Sequence, residues 1–208
     1  MIRHILFDLD CTLYSIHYGL EDKVADRMWQ YVACFLGCSA EEAALERKKG
    51  IGKYGTTLEW LMAEKGFTAI NDYMVKIHPD DEADCLHPDP DLRKFLEALP
   101  YPCSVLTNAP LFHADRVIAK LGLEGIFQRI FDIEGNEYKG KPHAKAFYRT
   151  LDALGQRSEE VLFVDDVRRY VEGYLAIGGR GILLDENDIH RDYGFERIGN
   201  LYDLVRFL

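Results

Sequence analysis

An α/β fold, a doubly wound parallel sheet carrying an inserted all-helical segment, is what this sequence predicts. Three observations point there. The chain opens on MIRHILFDLDCTLY, in which Ile2, Ile5, Leu6 and Phe7 form an apolar, partly β-branched run. A run so little interrupted by polar groups suits a strand covered on both faces. Residues 15–88 then carry helical spacing only, and from residue 89 short apolar runs alternate with helical patterns. Such alternation builds right-handed βαβ units, hence a parallel sheet with helices on both faces.

The elements follow in order. After the first strand, Leu20, Val24, Met28, Trp29, Val32 and Phe35 recur at three- and four-residue intervals. That is an amphipathic helix over residues 19–36, stopped by Gly37. Ser39 with Glu42 is a capping box opening a helix to about Lys49. GIGKYGTT, residues 50–57, reads as a glycine-punctuated loop. Helices over 57–65 and 69–77 follow, then an acidic, proline-rich connector over 78–92. A helix over 92–99 leads to a strand over 102–107, a helix ending at Leu121 and a strand over 129–133. Lys141 and Pro142 open a helix to Leu154. A strand over 161–164 ends in Asp165 and Asp166, and a helix to about Ile177 precedes a strand over 181–184. The expected division is a core of residues 1–14 and 89–208 with a helical subdomain of residues 15–88.

Composition excludes several function classes. At 208 residues, 48 % hydrophobic and 12 % aromatic, the chain is globular and long enough for a sizeable core. A formal charge of −10 disfavours nucleic acid polymers and anionic membranes as partners. It leaves room for a small anion, because a metal ion and one lysine can reverse the field inside a single pocket. No apolar run is long enough to span a membrane, and no signal peptide is expected before the first strand. Five scattered cysteines without a C-x-x-C pair fit free thiols in a reducing cytoplasm. Cys34 and Cys38, four apart, could share a helix face and read as small buried hydrophobes. Cys11 lies between Asp10 and Thr12, and carboxylates so near oppose a nucleophilic thiolate. A monomer or a homodimer is expected.

Four expected element ends share one property. Apolar runs finish in Asp8 and Asp10, in Thr107 and Asn108, and in Asp165 and Asp166, and Lys141 stands at a helix start. In an open α/β sheet, ligands bind outside the carboxyl ends of the strands. One such residue alone reads as a helix cap. Together they supply carboxylates for a divalent cation, a hydroxyl and an amide for phosphate oxygens, and one cation. Those are the parts phosphoryl transfer requires.

Asp8-Leu9-Asp10-Cys11-Thr12 resembles the first motif of the haloacid-dehalogenase superfamily of phosphohydrolases, a group with a Rossmann-like core. Leu106-Thr107-Asn108 is similar to the second motif, Lys141-Pro142 to the third, and Phe163-Val164-Asp165-Asp166 to the fourth. The interval between Asp8 and Thr107 accommodates the helical cap that members carry after motif one. KYGTTLEWLM (residues 53–62) and GKPHAKAFYRTL (residues 140–151) further resemble the pyrimidine 5′-nucleotidase branch.

The resemblance implies an enzyme, a Mg²⁺-dependent phosphatase acting on a small phosphorylated metabolite, and a nucleoside 5′-monophosphate in particular. Asp8 would be the nucleophile, forming an aspartyl phosphate. Asp10 would protonate the leaving oxygen and then deprotonate water. On an ideal strand, a spacing of two puts both side chains on one face. Mg²⁺ would be held by Asp8, the Asp10 backbone carbonyl and Asp166, with Asp165. Thr107, Asn108 and neighbouring N–H groups would bind phosphate, and Lys141 would neutralise developing charge.

Lys53 and Tyr54 are candidate substrate contacts, weighed against a solvated loop. His113 and His143 read as surface or helix-capping residues. Four positions beyond Asp166, where the family usually has Asp or Asn, this chain has Tyr170, after Arg168 and Arg169. A tyrosine is not ionised at pH 7, so weaker metal binding is expected unless Asp165 compensates. The alternative functions are a sugar-phosphate phosphatase or phosphomutase and, from another class, a scaffold or binding protein on the same fold.

Overall fold

The computed structural model describes residues 1–51 and 53–208; Gly52, within the loop expected over 50–57, lies outside the described residues. Two compact units are present: Met1–Tyr18 with Leu86–Leu208, and Gly19–Cys85. The strands are β1 (His4–Phe7), β2 (Cys103–Leu106), β3 (Ile130–Phe131), β4 (Val161–Asp165), β5 (Arg180–Leu184) and β6 (Arg197–Ile198). The α-helices are α1 (Leu20–Leu36), α2 (Ala40–Ile51), α3 (Thr57–Lys65), α4 (Ile70–Ile77), α5 (Pro90–Glu97), α6 (Leu111–Leu121), α7 (Ala144–Leu154) and α8 (Arg168–Ala176).

In the larger unit the strands form one sheet in the order β3-β2-β1-β4-β5-β6, every neighbouring pair parallel. The chain therefore steps outward from β1 to β2 and β3, then returns to β4 on the other side of β1. That reversal makes the carboxyl ends of β1 and β4 the topological switch point, where a crevice opens. Phe7 pairs with Val164 and with Val105, so β1 is central. Every residue of β1, β2 and β4 is buried, as the apolar runs predict for strands covered on both faces. The doubly wound α/β fold read from the sequence is thus present.

Side chains pack the sheet through apolar clusters. Leu6, Leu106, Phe147, Leu151, Val161, Phe163 and Tyr174 form one, with Phe131, Tyr170 and Ile177 against it. Within it the rings of Phe147, Phe163 and Tyr174 lie 5.1–5.4 Å apart at tilted or edge-on angles. Val171, Leu183 and Tyr193 form another. Helix α8 approaches the segment before α7 closely at Gly173, where a Cβ would come within 2.8 Å of the Pro142 carbonyl oxygen.

Several boundaries differ from expectation, each for a local reason. Helix α5 starts at Pro90, because the Asp89 carboxylate accepts the N–H groups of Asp91 and Leu92 at 3.1 and 2.9 Å. Helix α7 starts at Ala144 with His143 as its cap residue, so Lys141 and Pro142 stand outside it. Strand β3 keeps only two of the five residues expected over 129–133, and β6 has no counterpart in the sequence reading. Helix α2 runs on to Ile51 beyond the expected end near Lys49.

The smaller unit holds α1–α4 and a 3-10 turn, Glu82–Cys85. Gly37 ends α1 in the left-handed conformation (φ 65°), so Cys38 lies past the helix and does not share its face with Cys34. The expected capping box is made: Ser39 N–H donates to Glu42 and Glu42 N–H to Ser39 Oγ. Tyr31, Phe35, Phe67 and Tyr73 pack edge to face with centroids 5.0–5.9 Å apart.

Candidate active site

The chain leaves β1 at Phe7, and the Asp8 N–H donates to Val164 O at 2.8 Å, which ties Asp8 to the end of β4. Beyond it the backbone turns: the N–H groups of Thr12 and Leu13 both bond the Leu9 carbonyl, and Cys11 has φ 55°. Asp10 therefore sits in a turn. The ideal-strand geometry expected to align it with Asp8 does not apply here.

Lys141 is the hub of the site. Its side chain is fully buried, with Nζ 2.6 Å from Asp8 Oδ1 and 2.6 Å from Asp165 Oδ2. Asp165 Oδ1 accepts the Val167 N–H at 2.7 Å, so both of its oxygens are engaged. The rings of Tyr170 and Phe163 flank the ammonium at 5.1 and 5.5 Å. Carboxylate oxygens of Asp8, Asp165 and Asp166 lie within 4.8 Å of one another. Hard oxygen donors so grouped suit a divalent cation such as Mg²⁺.

One ammonium serves two buried carboxylates, and the electrostatics follow. Burial pushes the Asp8 carboxyl well above its ordinary range; Asp165 and Asp10 push the same way and Lys141 opposes them. Burial likewise raises Asp165 against the pull of Lys141. For Lys141, burial acts downward, but Asp165 and Asp8 override it and hold the ammonium above its usual range. A divalent cation among these oxygens would oppose the upward push and favour their ionised form.

Asn108 is committed to the lysine's main chain. Its Oδ1 accepts the Lys141 N–H at 2.8 Å, and its Nδ2 donates to the Lys141 carbonyl at 2.9 Å. Gly140 makes this possible, since a Cβ there would collide with Asn108 Oδ1. Thr107 is 1 % exposed, and its Oγ1 accepts the Ala109 N–H at 3.0 Å. Helix α6 follows directly from this connection.

Asp10 has partners that sequence reasoning missed. Tyr14 OH donates to Asp10 Oδ1 at 2.7 Å, and His113 Nε2 stands 2.8 Å from the same oxygen. The expectation that His113 is a surface or capping residue is corrected: it is fully buried. A signal existed, because His113 lies on the buried stripe of α6 with Ala114, Val117, Ile118 and Leu121. His143 does stand at the start of α7, without a side-chain cap bond.

Tyr170, read as a missing acid, instead faces Lys141 with its ring while Arg169 donates to its hydroxyl at 3.0 Å. Lys53 and Tyr54 belong to the smaller unit. There both bond Glu64, at 3.2 and 2.8 Å, and Lys53 Nζ lies 5.0 Å from the Tyr54 ring centroid.

A family model described as hydrolase, haloacid dehalogenase-like hydrolase, matches residues 2–169. A glyceraldehyde 3-phosphate phosphatase of Methanocaldococcus jannaschii is 26 % identical over an alignment of 227 residues, covering 100 % of this chain and 99 % of that protein. Among solved structures, a HAD phosphatase from Thermococcus onnurineus matches with TM-score 0.67 and 19 % identity, over 99 % of this chain and 97 % of that one. L-2-haloacid dehalogenase from Xanthobacter autotrophicus matches with TM-score 0.64 and 18 % identity, over 100 % and 98 %. At these identities the two structures speak for the fold alone.

Proposed function

The chain belongs to the haloacid dehalogenase-like hydrolases, and from that premise we propose that it hydrolyses small phosphate monoesters through an aspartyl phosphate on Asp8. The observation that carries this reading is Lys141 Nζ at 2.6 Å from both Asp8 and Asp165, with Asp166 in the same carboxylate group. In the first step an Asp8 oxygen forms a bond to phosphorus as the bond to the leaving oxygen breaks, and Asp10 gives that oxygen its proton. In the second, Asp10 takes a proton from water as the water oxygen bonds phosphorus and the bond to Asp8 breaks. Lys141 screens the nucleophile and the charge on the equatorial oxygens. Thr107 and the N–H groups after β2 contribute to phosphate binding.

Asp8, Asp165, Asp166 and the Asp10 carbonyl would hold Mg²⁺, whose chemistry there is to neutralise phosphate charge. An acid at Asp10 favours an ester over a haloacid, because an alkoxide leaves poorly without a proton and a halide leaves without one.

For the organic part of the ester we read a nucleoside 5′-monophosphate, on the strength of the Lys53-Tyr54 and Lys141–Phe147 motifs. A stacking ring and a cation at residues 53 and 54 suit a nucleobase. A second reading, a small sugar phosphate, is favoured by the full-length similarity to a glyceraldehyde 3-phosphate phosphatase.

The test is hydrolysis of 4-nitrophenyl phosphate with Mg²⁺ present, followed by a panel of nucleotides and sugar phosphates. Asp8→Asn is expected to fall to background, and full activity in that variant refutes the mechanism. A panel without preference for pyrimidine monophosphates removes the narrower substrate reading.

A further inference from the structure

Asp10 needs an aimed carboxylate, and its backbone does not aim it. It lies in a turn one residue before Cys11, whose φ is 55°, and its side chain is 17 % exposed. Resting on the reading that Asp10 moves the leaving-group proton, we infer that His113 and Tyr14 form a two-donor clamp that sets the direction of the Asp10 carboxylate, which makes both of them positioning residues for proton transfer.

The two donors come from different elements and meet on one atom. Tyr14 OH reaches Asp10 Oδ1 at 2.7 Å from four residues along the same turn, and His113 Nε2 reaches it at 2.8 Å from the first turn of α6. Two directions onto one oxygen fix the rotation of the carboxylate plane as well as its position. Against the ionised form of Asp10, whose oxygens only accept, the neutral imidazole makes this bond with its proton on Nε2. Hydrogen bonds of this length to a charged acceptor are the strong class.

Both donors are themselves held. His113 is fully buried and Tyr14 is 6 % exposed. The His113 N–H donates to Pro110 O at 3.1 Å, and the Ala114 N–H to the same oxygen at 3.2 Å. His113 stands on the buried stripe of α6 with Ala114, Val117 and Ile118, and a buried imidazole costs desolvation unless it is hydrogen-bonded, a cost the contact with Asp10 helps to offset. The connection from β2 into α6 thereby carries three tasks: Thr107 toward phosphate, Asn108 on Lys141, and His113 on Asp10.

A positioning role and a purely structural one differ in what they do to the leaving group. If the clamp aims the proton, its loss harms esters whose leaving oxygen most needs that proton. The experiment measures kcat/KM for a series from 4-nitrophenyl phosphate to simple alkyl phosphates, on the whole protein, for wild type, His113→Ala, His113→Gln and Tyr14→Phe. Loss of the donor in His113→Ala is expected to cost roughly 10²-fold on alkyl phosphates and no more than about threefold on 4-nitrophenyl phosphate, within the range general acid catalysis supplies. His113→Gln, which restores an N–H donor, is expected to recover at least about tenfold of the alkyl loss. An equal loss across the series, or none, overturns the clamp. Should His113→Ala fail to fold, Tyr14→Phe decides the matter alone, because it deletes one hydroxyl and keeps the ring. A wild-type protein that cleaves none of these esters overturns the phosphatase reading and the clamp together, which distinguishes that failure from failure of the clamp alone.

Discussion

Asn108→Ala isolates what the second motif does here. The sequence offered Asn108 as a phosphate ligand, but the structure commits its amide to both main-chain groups of Lys141, at 2.8 and 2.9 Å. Truncation removes two hydrogen bonds worth about 0.5–1.5 kcal/mol each, and it strips partners from the backbone of a fully buried residue, where an unmade bond costs more. The expected loss is about 2–4 kcal/mol, or roughly 5–15 °C in Tm for a chain of this size. Lys141 Nζ would also lose its register against Asp8 and Asp165, so kcat falls while KM changes little. Thermal melting followed by circular dichroism, with kcat and KM measured on an aryl phosphate, provides the readout. Gly140→Ala supplies an independent perturbation of the same clamp, because its new methyl collides with Asn108 Oδ1. The double variant should therefore cost less than the sum of the two single ones, since Asn108→Ala removes the clash with Asn108 while that with Ile133 Cδ1 at 2.8 Å remains, a non-additivity typical of residues sharing a contact. A raised KM with Tm unchanged to within about 1 °C would refute the clamp and return Asn108 to direct phosphate binding.

Two further outcomes are expected. Tyr170→Leu removes a desolvated ring–ammonium contact at 5.1 Å and should cost about 2 kcal/mol in urea unfolding; Tyr170→Phe keeps the ring and should cost clearly less, whereas equal losses would mean that the hydroxyl and Arg169 carry the effect. His4 is held below its ordinary 6.5 by burial, so between that lowered value and 6.5 the unfolded chain binds a proton the folded chain refuses. The stability it contributes is whole above about 6.5 and drains as pH falls through the folded value, at up to about 1.4 kcal/mol per pH unit; the wild-type-minus-His4→Gln difference curve from pH 7 to 4 should show this slope, and a flat difference contradicts it.

What the sequence revealed and what it hid divide along physical lines. Strands β1 and β4 were legible because burial on both faces writes a continuous apolar run. Helix α3 was legible to the residue because Thr56 caps it, accepting the Glu59 N–H, and Gly66 ends it in the left-handed conformation. Strand β3 was legible as a strand but not in its bounds, and β6 was not legible at all, because strands of two residues are defined by main-chain pairing and leave little side-chain signature. The acids and Lys141 were legible as residues at element ends. Their division of labour was not: the pairings of Asp10 with His113, of Asn108 with the Lys141 backbone and of Tyr170 with the Lys141 ammonium cross long stretches of chain. No local pattern encodes them. Tyr170 shows the limit most plainly, since identity alone marked it as an absent carboxylate, and only its position reveals a ring set against a buried cation.

The two-residue strands at the sheet edges also bear on how the molecule breathes. Opening that starts at β3 or β6 has only a short ladder to undo. Strand β1 must part from neighbours on both sides before its amides exchange with solvent. Asp8, the proposed nucleophile, is thus anchored where local unfolding arrives last, and the amides of Ile5, Leu6 and Phe7 should exchange at the rate of global unfolding. Chemistry at Asp8 would then stay insulated from edge fluctuations that occur many times between global openings. Slow deuterium uptake at β1 with fast uptake at β3 and β6 would be the mark of a rigid reaction centre inside a sheet that frays at its margins.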